Sequence, residues 1–232
     1  MIIDAIQIAL FYNLHGDAAN QIASTVFPNA ALIGFSAPVG QPVSTAVLHA
    51  GKFQIQVQSQ PGRVDFVFTA IGEGLSPSLA SGVDFDTVLA QIGPMVDFGI
   101  CNHAVRVAMI VNVREPAASF DIALALAKRD LTNVDFPEGC RDIDIKFNVP
   151  RQSVSVPGLE INVLVKHQTV EVQGMIFTAG PSGFTTTVTE SDSWALIKQI
   201  DVNSDAKAML DETNLSSVMS EIAAICHELS DS

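Results

Sequence analysis

Apolar and polar residues alternate along several stretches of the chain, and this period of two predicts β-strands with one buried face. The clearest case is residues 53–58, where Phe, Ile and Val alternate with three glutamines. Residues 59–62 (SQPG) supply a proline and a glycine for a tight turn, and the alternation resumes over residues 64–68. The sequence therefore predicts a β-hairpin. Residues 2–12 are apolar almost throughout, as in a strand buried on both faces.

The same patterns predict the remaining strands and helices. Strands are expected near residues 30–36, 43–49, 105–113, 142–149, 159–166, 169–178, 184–190 and 193–202. Helices are expected over residues 17–27, 84–92 and 116–128, and a C-terminal helix carries one apolar stripe of Leu215, Val218, Met219, Ile222, Cys226 and Leu229. Because hairpins dominate this order, we expect an α+β fold with a large, mainly antiparallel sheet and helices packed on one side.

The order of predicted elements repeats along the chain. Residues 2–98 and residues 104–229 both follow the order β-α-β-β-α, which favours an internal duplication. A length of 232 residues suits a single domain spanning residues 1–232. The two halves share little sequence identity, so this interpretation depends on element order alone.

Three segments carry a family resemblance: KFQIQVQSQPGRVDFVF (52–68), HAVRVAMIVNV (103–113) and ALIKQIDVN (195–203). In the order of these segments, with a long N-terminal strand before them and an amphipathic helix after them, the chain resembles an uncharacterised, sporadically distributed bacterial protein family. The resemblance spans most of the chain. It implies no activity, cofactor or site residue.

Composition adds an expectation about the surface. Hydrophobic residues make up 48% of the chain and charged residues 16%, whereas a soluble domain typically carries about 25% charged residues. Residues 1–103 hold only 9 charged residues. We therefore expect a partner or a second copy of the chain to cover part of the surface.

The net charge of −13 is spread along the chain, and it disfavours binding to nucleic acid or to anionic membranes. No apolar run is long enough to span a bilayer, and the first residues lack the basic region of a secretory signal. The three cysteines are far apart, which argues against a disulfide framework. These observations predict a cytoplasmic protein.

Four residues match positions 1, 3, 5 and 12 of a calcium-binding loop, where alternating oxygen ligands converge on the ion and a glutamate closes the shell. They are Asp201, Asn203, Asp205 and Glu212. Position 6, however, is Ala206 where the sharp turn favours glycine, and position 8 is Ala208. The alternative is that Asp201, Ser204 and Asp205 end a strand and cap the last helix.

The sequence lacks the motifs of common catalytic, metal-binding and dinucleotide-binding sites. No GxSxG motif occurs, the five histidines show no metal-binding spacing, and Gly72-Glu73-Gly74 lacks the third glycine of a dinucleotide loop. Cys101 and His103 are close in sequence, but no third residue is evident to orient the histidine. No cofactor is indicated, and the sequence favours a protein that is not an enzyme.

The leading hypothesis is a non-enzymatic protein-binding or self-assembling module, such as a subunit, adaptor, chaperone-like protein or inhibitor. Two alternatives remain. One is an enzyme or small-ligand binder whose site is assembled from distant residues beneath the loop of residues 71–83. The other is a calcium-stabilised protein that uses residues 201–212.

Overall fold

The computed structural model describes residues 1–13, 17–71, 82–180, 183–207 and 209–231, and their side chains except those of 173–192. The strands are β1 (Ile2–Tyr12), β2 (Ala31–Ser36), β3 (Ser44–Ala50), β4 (Phe53–Gln60), β5 (Arg63–Ala70), β6 (Ala104–Ala117), β7 (Asp144–Asn148), β8 (Arg151–Gln152), β9 (Glu160–Gly180) and β10 (Gly183–Ser204). The helices are α1 (Ala19–Val26), α2 (Phe85–Leu89), α3 (Ile92–Cys101), α4 (Phe120–Asp130) and α5 (Leu215–Asp231).

The strands of these ranges form one ten-stranded sheet in the order β2-β3-β4-β5-β1-β6-β10-β9-β7, with β8 paired to β9. The pairs β2–β3, β3–β4, β4–β5, β1–β5 and β8–β9 are all antiparallel. The predicted α+β fold, with a large and mainly antiparallel sheet, is therefore confirmed.

The predicted hairpin is β4 and β5, and Gln60 pairs with Arg63 across a two-residue turn. Gly62 has φ of +75°, a conformation that glycine adopts without the steric penalty of a side chain. Its carbonyl accepts a hydrogen bond from the backbone N–H of Tyr12 at 2.9 Å, which ties the turn to β1.

The sequence predicted a strand end at two positions where the strand in fact continues. Residues 159–166 and 169–178 belong to one strand, β9, and residues 184–190 and 193–202 belong to β10. Residues 167–168 (HQ) contain neither glycine nor proline, so nothing there turns the chain, and Ser191-Asp192 stays extended despite its turn-like composition.

Two helix boundaries also differ from prediction. The helix predicted over residues 84–92 ends at Leu89, and a second helix, α3, begins at Ile92 with Gly93 and Pro94 in its first turn, where proline loses no hydrogen bond. Helix α4 begins at Phe120 instead of near residue 116, because the hydroxyl of Ser119 accepts a hydrogen bond from the backbone N–H of Ile122 and caps the helix.

Element order repeats more fully than the sequence indicated. The first half reads β1-α1-β2-β3-β4-β5 and then α2 and α3, and the second reads β6-α4-β7-β8-β9-β10 and then α5. In the sheet β5 lies beside β1, and β10 lies beside β6. Each half therefore has four strands after its first helix, not two. This order agrees with the duplication, which stays a prediction.

By backbone contacts the chain divides into two compact units. The smaller unit comprises Met1, Arg114–Lys146 and Lys166–Lys198, and the larger comprises Ile2–Val113, Phe147–Val165 and Gln199–Ser232. In the smaller unit, Ala127 of α4 packs with Ile143 and Leu196, and the rings of Phe120 and Trp194 meet edge to face at 5.1 Å.

The core of the larger unit lies between one face of its strands and the helices α1, α2, α3 and α5. Gly99 of α3 lets α5 approach closely, because a β-carbon built there would lie only 2.9 Å from Cδ2 of Leu215. The thiol of Cys226 on α5 lies 3.8 Å from the backbone oxygen of Met109 on β6. Helix α5 is thus docked on the sheet.

The predicted stripe of α5 is confirmed as a core surface. Leu215, Val218, Met219, Ile222 and Cys226 are buried, and Leu229 is partly buried against the same core. On the outer side of the helix, the carboxylate of Glu221 accepts hydrogen bonds from the hydroxyl of Ser153 at 2.7 Å and the N–H of Val154 at 2.8 Å.

We predict that Ile222→Ala lowers the free energy of unfolding by about 2–5 kcal/mol, because Ile222 is fully buried and the shortened side chain leaves a cavity. Urea unfolding followed by circular dichroism measures the change. Ser217→Ala, an exposed substitution on the same helix, is the matched control and should stay within about 0.5 kcal/mol of the parent. Equal stability of Ile222→Ala and the control would show that α5 is not docked in solution.

Candidate functional site

The four residues of the calcium-like pattern lie in different surroundings. Asp201 and Asn203 are on β10, on the face opposite the buried Ile200 and Val202. Asn203 donates from Nδ2 to Oδ1 of Asp201 at 3.0 Å and accepts at Oδ1 from Nη2 of Arg106 at 2.8 Å. The pattern thus begins on a paired strand.

Asp205 and Glu212 have other partners. Oδ1 of Asp205 accepts from the backbone N–H of Lys207 at 3.2 Å, and Oε1 of Glu212 lies 2.7 Å from Nδ1 of His103. Ala208, at position 8 of the pattern, lies outside the described residues. Among the residues whose placement is described, no group of three or more His, Cys, Asp or Glu side chains is arranged to hold a metal ion.

The capping role expected for Ser204 and Asp205 belongs to Asp211. Helix α5 begins only at Leu215, and Oδ1 of Asp211 accepts from the backbone N–H groups of Thr213 and Asn214 at 3.0 Å each. The hydrogen bond from the Thr213 hydroxyl lowers the pKa of Asp211. Ser204 instead accepts at its hydroxyl from the backbone N–H of Val107 at 3.2 Å.

In the larger unit, the face of the sheet opposite its helices carries many polar side chains, amides above all, among aliphatic ones. Across four adjacent strands, Val47, Gln56, Val67 and Gln7 form one row of that face. Gln7 donates to Oδ1 of Asp65 at 2.8 Å, and Gln199 donates to Oδ1 of Asn112 at 3.0 Å. Many of these polar groups already have partners, so the face is stable in water without a covering layer.

Phe11 is the aromatic centre of this polar face. The guanidinium carbons of Arg63 and Arg106 lie 5.0 Å and 4.8 Å from its ring centroid. Arg63 is also paired with Asp65 at 2.7 Å, and Arg106 donates from Nε to the backbone oxygen of Ser204 at 3.0 Å. These contacts link β5, β1, β6 and β10 and fix both guanidinium groups.

A buried set of ionisable groups lies in the smaller unit. Nε2 of His167 on β9 is 3.9 Å from Oδ2 of Asp130, which ends α4, and Lys198 on β10 is also buried. Burial, and then the charge of Lys198, lower the pKa of His167, while Asp130 opposes the shift. Burial also lowers the pKa of Lys198. Because these side chains are enclosed, the cluster fits a role in holding α4 in place.

Two flanking residues complete this arrangement. Arg129 donates from Nη1 and Nη2 to the two carboxylate oxygens of Glu115 at 3.1 Å and 2.8 Å, and from Nε to Asp130 at 2.8 Å. The hydrogen bonds from Arg129 lower the pKa of Glu115. Such a two-point pair fixes the end of α4 relative to β6.

Strand β2 forms one end of the sheet and carries exposed apolar residues. Leu32 is 52% exposed, Ile33 is 58% exposed and Phe35 is 47% exposed. Leu32 pairs with Leu48, and Phe35 pairs with Ala46, both of which are core residues. A register shift between Leu32 and Gly34 places Ile33 in a bulge. The apolar face of the sheet therefore continues to a solvent-exposed edge, which we call the β2 edge (Ala31–Ser36).

The opposite end of the sheet has a different chemistry. Strand β7 carries Asp144 and Lys146, and Asp144 forms an ion pair with Nζ of Lys166 on β9 at 3.0 Å. Charged side chains on an edge strand discourage pairing with another chain. Strand β2 carries no charged side chain, and its exposed apolar residues make the β2 edge the candidate functional site.

The sequence carried a signal for this edge that strand patterns alone did not reveal. Residues 18–51 contain no Asp, Glu, Lys or Arg, although the chain has 37 such residues in total. This uncharged stretch includes α1, β2 and β3. Residues 72–81, most of the predicted 71–83 loop, lie outside the described residues.

Comparison with protein-family models and with curated proteins finds no match for this chain. Among the described helices, none combines the length and the apolar character needed to cross a bilayer. The functional argument therefore depends on the geometry of the chain itself.

We predict that His167 makes stability depend on pH in weak acid. Its folded pKa is lowered, so the unfolded chain binds the proton first as the pH falls through the ordinary value of about 6.5. The stabilisation is present above that value and is lost as the pH falls towards the folded pKa.

Melting temperatures measured between about pH 7 and pH 5 test this sign, since histidines titrate there. His167→Gln should flatten the pH dependence, whereas His49→Gln, at an exposed histidine, should leave it unchanged. An identical slope in the parent and His167→Gln would contradict the assignment.

We predict that calcium does not stabilise the chain. Asn203 and Glu212 already bond to Arg106 and His103, and Ala206 is where a glycine would favour the turn. Calorimetric titration with calcium should give no saturable heat, and a chelator should not shift the melting temperature. A saturable increase in melting temperature that Glu212→Gln abolishes would support the calcium hypothesis instead.

Proposed function

We propose that the protein is a non-enzymatic self-assembling module, and that two copies pair through their β2 edges. The observation that carries the proposal is that β2, which among the described strands pairs only with β3, exposes about half of Leu32, Ile33 and Phe35. Antiparallel pairing of the same strand about a two-fold axis would satisfy backbone groups on both copies and extend the sheet across them.

Charge supports a second copy as the occupant. Two molecules of net charge −13 repel one another over most of their surfaces. Residues 18–51 carry no charged side chain, so the two β2 strands themselves bring no like charges into contact when they pair. The β7 end, with Asp144 and Lys146, lacks this property.

Burial of apolar area alone indicates a weak dimer. Each of the three apolar side chains is about half exposed, and covering the remainder contributes about 1 kcal/mol. Six such side chains in a symmetric pair give about 6 kcal/mol, against an association cost of about 4–15 kcal/mol. The strand-to-strand hydrogen bonds therefore supply a necessary part of the affinity.

Sedimentation velocity over a concentration series tests the proposal. The parent chain should move from a monomer of 24.6 kDa towards a dimer as its concentration rises. Ile33→Lys should shift this transition to higher concentration, because two lysines then meet across the symmetric edge. Val154→Lys is the matched control: Val154 is 89% exposed and lies outside β2, so the dimer should be unaffected.

The salt dependence of dimerisation provides a second test, because an interface held by salt bridges would respond to salt in the opposite direction. If the edges meet without ion pairs, salt screens the repulsion between the two acidic molecules and strengthens the dimer. An interface held by salt bridges would weaken. A parent chain that stays monomeric at all concentrations, or an Ile33→Lys variant that dimerises like Val154→Lys, would contradict the β2 proposal.

A further inference from the structure

A cavity of about 670 Å³ opens in the larger unit near the end of α1, the β3–β4 turn and the start of α2. Its size falls within the range of about 300–1,000 Å³ that is typical of small-molecule sites. Three buried apolar side chains, Phe27, Phe53 and Val83, form part of its wall. The hydroxyl of Thr87 and the amide of Gln91 add neutral polar groups.

Two exposed residues of opposite charge line this cavity. Lys52 follows Gly51 in the β3–β4 turn, and Asp84 immediately precedes α2. Lys52 directly follows the uncharged residues 18–51. Arg63 is the only other lysine or arginine in residues 1–103 of the sequence. A cation and an anion on one cavity lining select for a ligand with both charges.

The lysine is available to a ligand. Within the described part of the chain, Lys52 forms no ion pair, whereas Arg63 is bound to Asp65 at 2.7 Å. Asp84 accepts a hydrogen bond from the hydroxyl of Thr87, which leaves its other carboxylate lone pairs to a second donor. The cavity thus offers one cationic donor and one oriented acceptor.

We infer that this cavity binds a small zwitterion with an apolar body, its carboxylate on Lys52, its ammonium on Asp84 and its apolar part against Phe27, Phe53 and Val83. A ligand of zero net charge is not repelled by a protein of net charge −13, whereas a simple anion would be. Apolar α-amino acids and their dipeptides are the simplest molecules with this chemistry. The inference does not depend on dimerisation through β2.

Calorimetric titration of the full chain with phenylalanine and with leucyl-phenylalanine tests the inference and distinguishes the two sources. At least one of them should bind saturably. Acetylation of the amine removes the positive charge, and amidation of the carboxyl group removes the negative charge. Each modified ligand should bind about fivefold more weakly, the factor that corresponds to one exposed ion pair.

Matched variants assign the two charges to their residues. Lys52→Gln should weaken the zwitterion and the acetylated ligand but leave the amidated ligand unchanged. Asp84→Asn, which keeps an acceptor for Thr87, should weaken the zwitterion and the amidated ligand but leave the acetylated ligand unchanged. Lys207→Gln and Asp135→Asn, at exposed residues outside the cavity, should have no effect.

Several results would overturn the inference. Absence of binding by both zwitterions would do so, and so would binding that acetylation and amidation leave unchanged. Equal effects of Lys52→Gln on all three forms of the ligand would show that the lysine does not meet the carboxylate. Sedimentation of the same variants separates this inference from the dimer proposal, because neither substitution lies on the β2 edge.

Discussion

One-sided burial of the sheet is the constraint on which the larger unit depends. Side chains of a strand point alternately to its two faces, so a single choice of register decides which residues of each strand meet the helices. Ile8, Phe66 and Met109 lie on the helix-covered face, and Gln7 and Asn203 lie on the other. Shifting any strand by one residue would expose the first group and bury amides without partners.

This constraint explains what could be predicted and what could not. The β4–β5 hairpin and helix α5 could be predicted from local patterns. Phe53, Ile55 and Val57 alternate with polar residues, the apolar stripe of α5 passes through Ile222, and all four of these side chains are buried. The length of β9 could not be predicted in this way, because the neighbouring strands decide whether the strand continues past His167. The cap of α5 was missed for a related reason: several acids precede the helix, and only the structure selects Asp211.

The candidate site could not be predicted from local patterns either. Leu32 and Phe35 are ordinary strand residues in the sequence, and nothing local distinguishes a strand at the edge of a sheet from one inside it. Their significance comes from the position of β2 at the end of the strand order. The absence of charge from residues 18–51 was visible in the sequence, yet it acquires a meaning only when these residues are seen to share one end of the sheet.

The docking of α5 also places a chemical reporter inside the protein. Burial raises the pKa of the Cys226 thiol, and the reactive thiolate is correspondingly scarce, whereas Cys101 at the end of α3 is exposed. An alkylating reagent therefore distinguishes these two thiols by accessibility. Modification of Cys226 requires its buried thiol to become exposed, so the rate of modification reports how often α5 leaves the sheet.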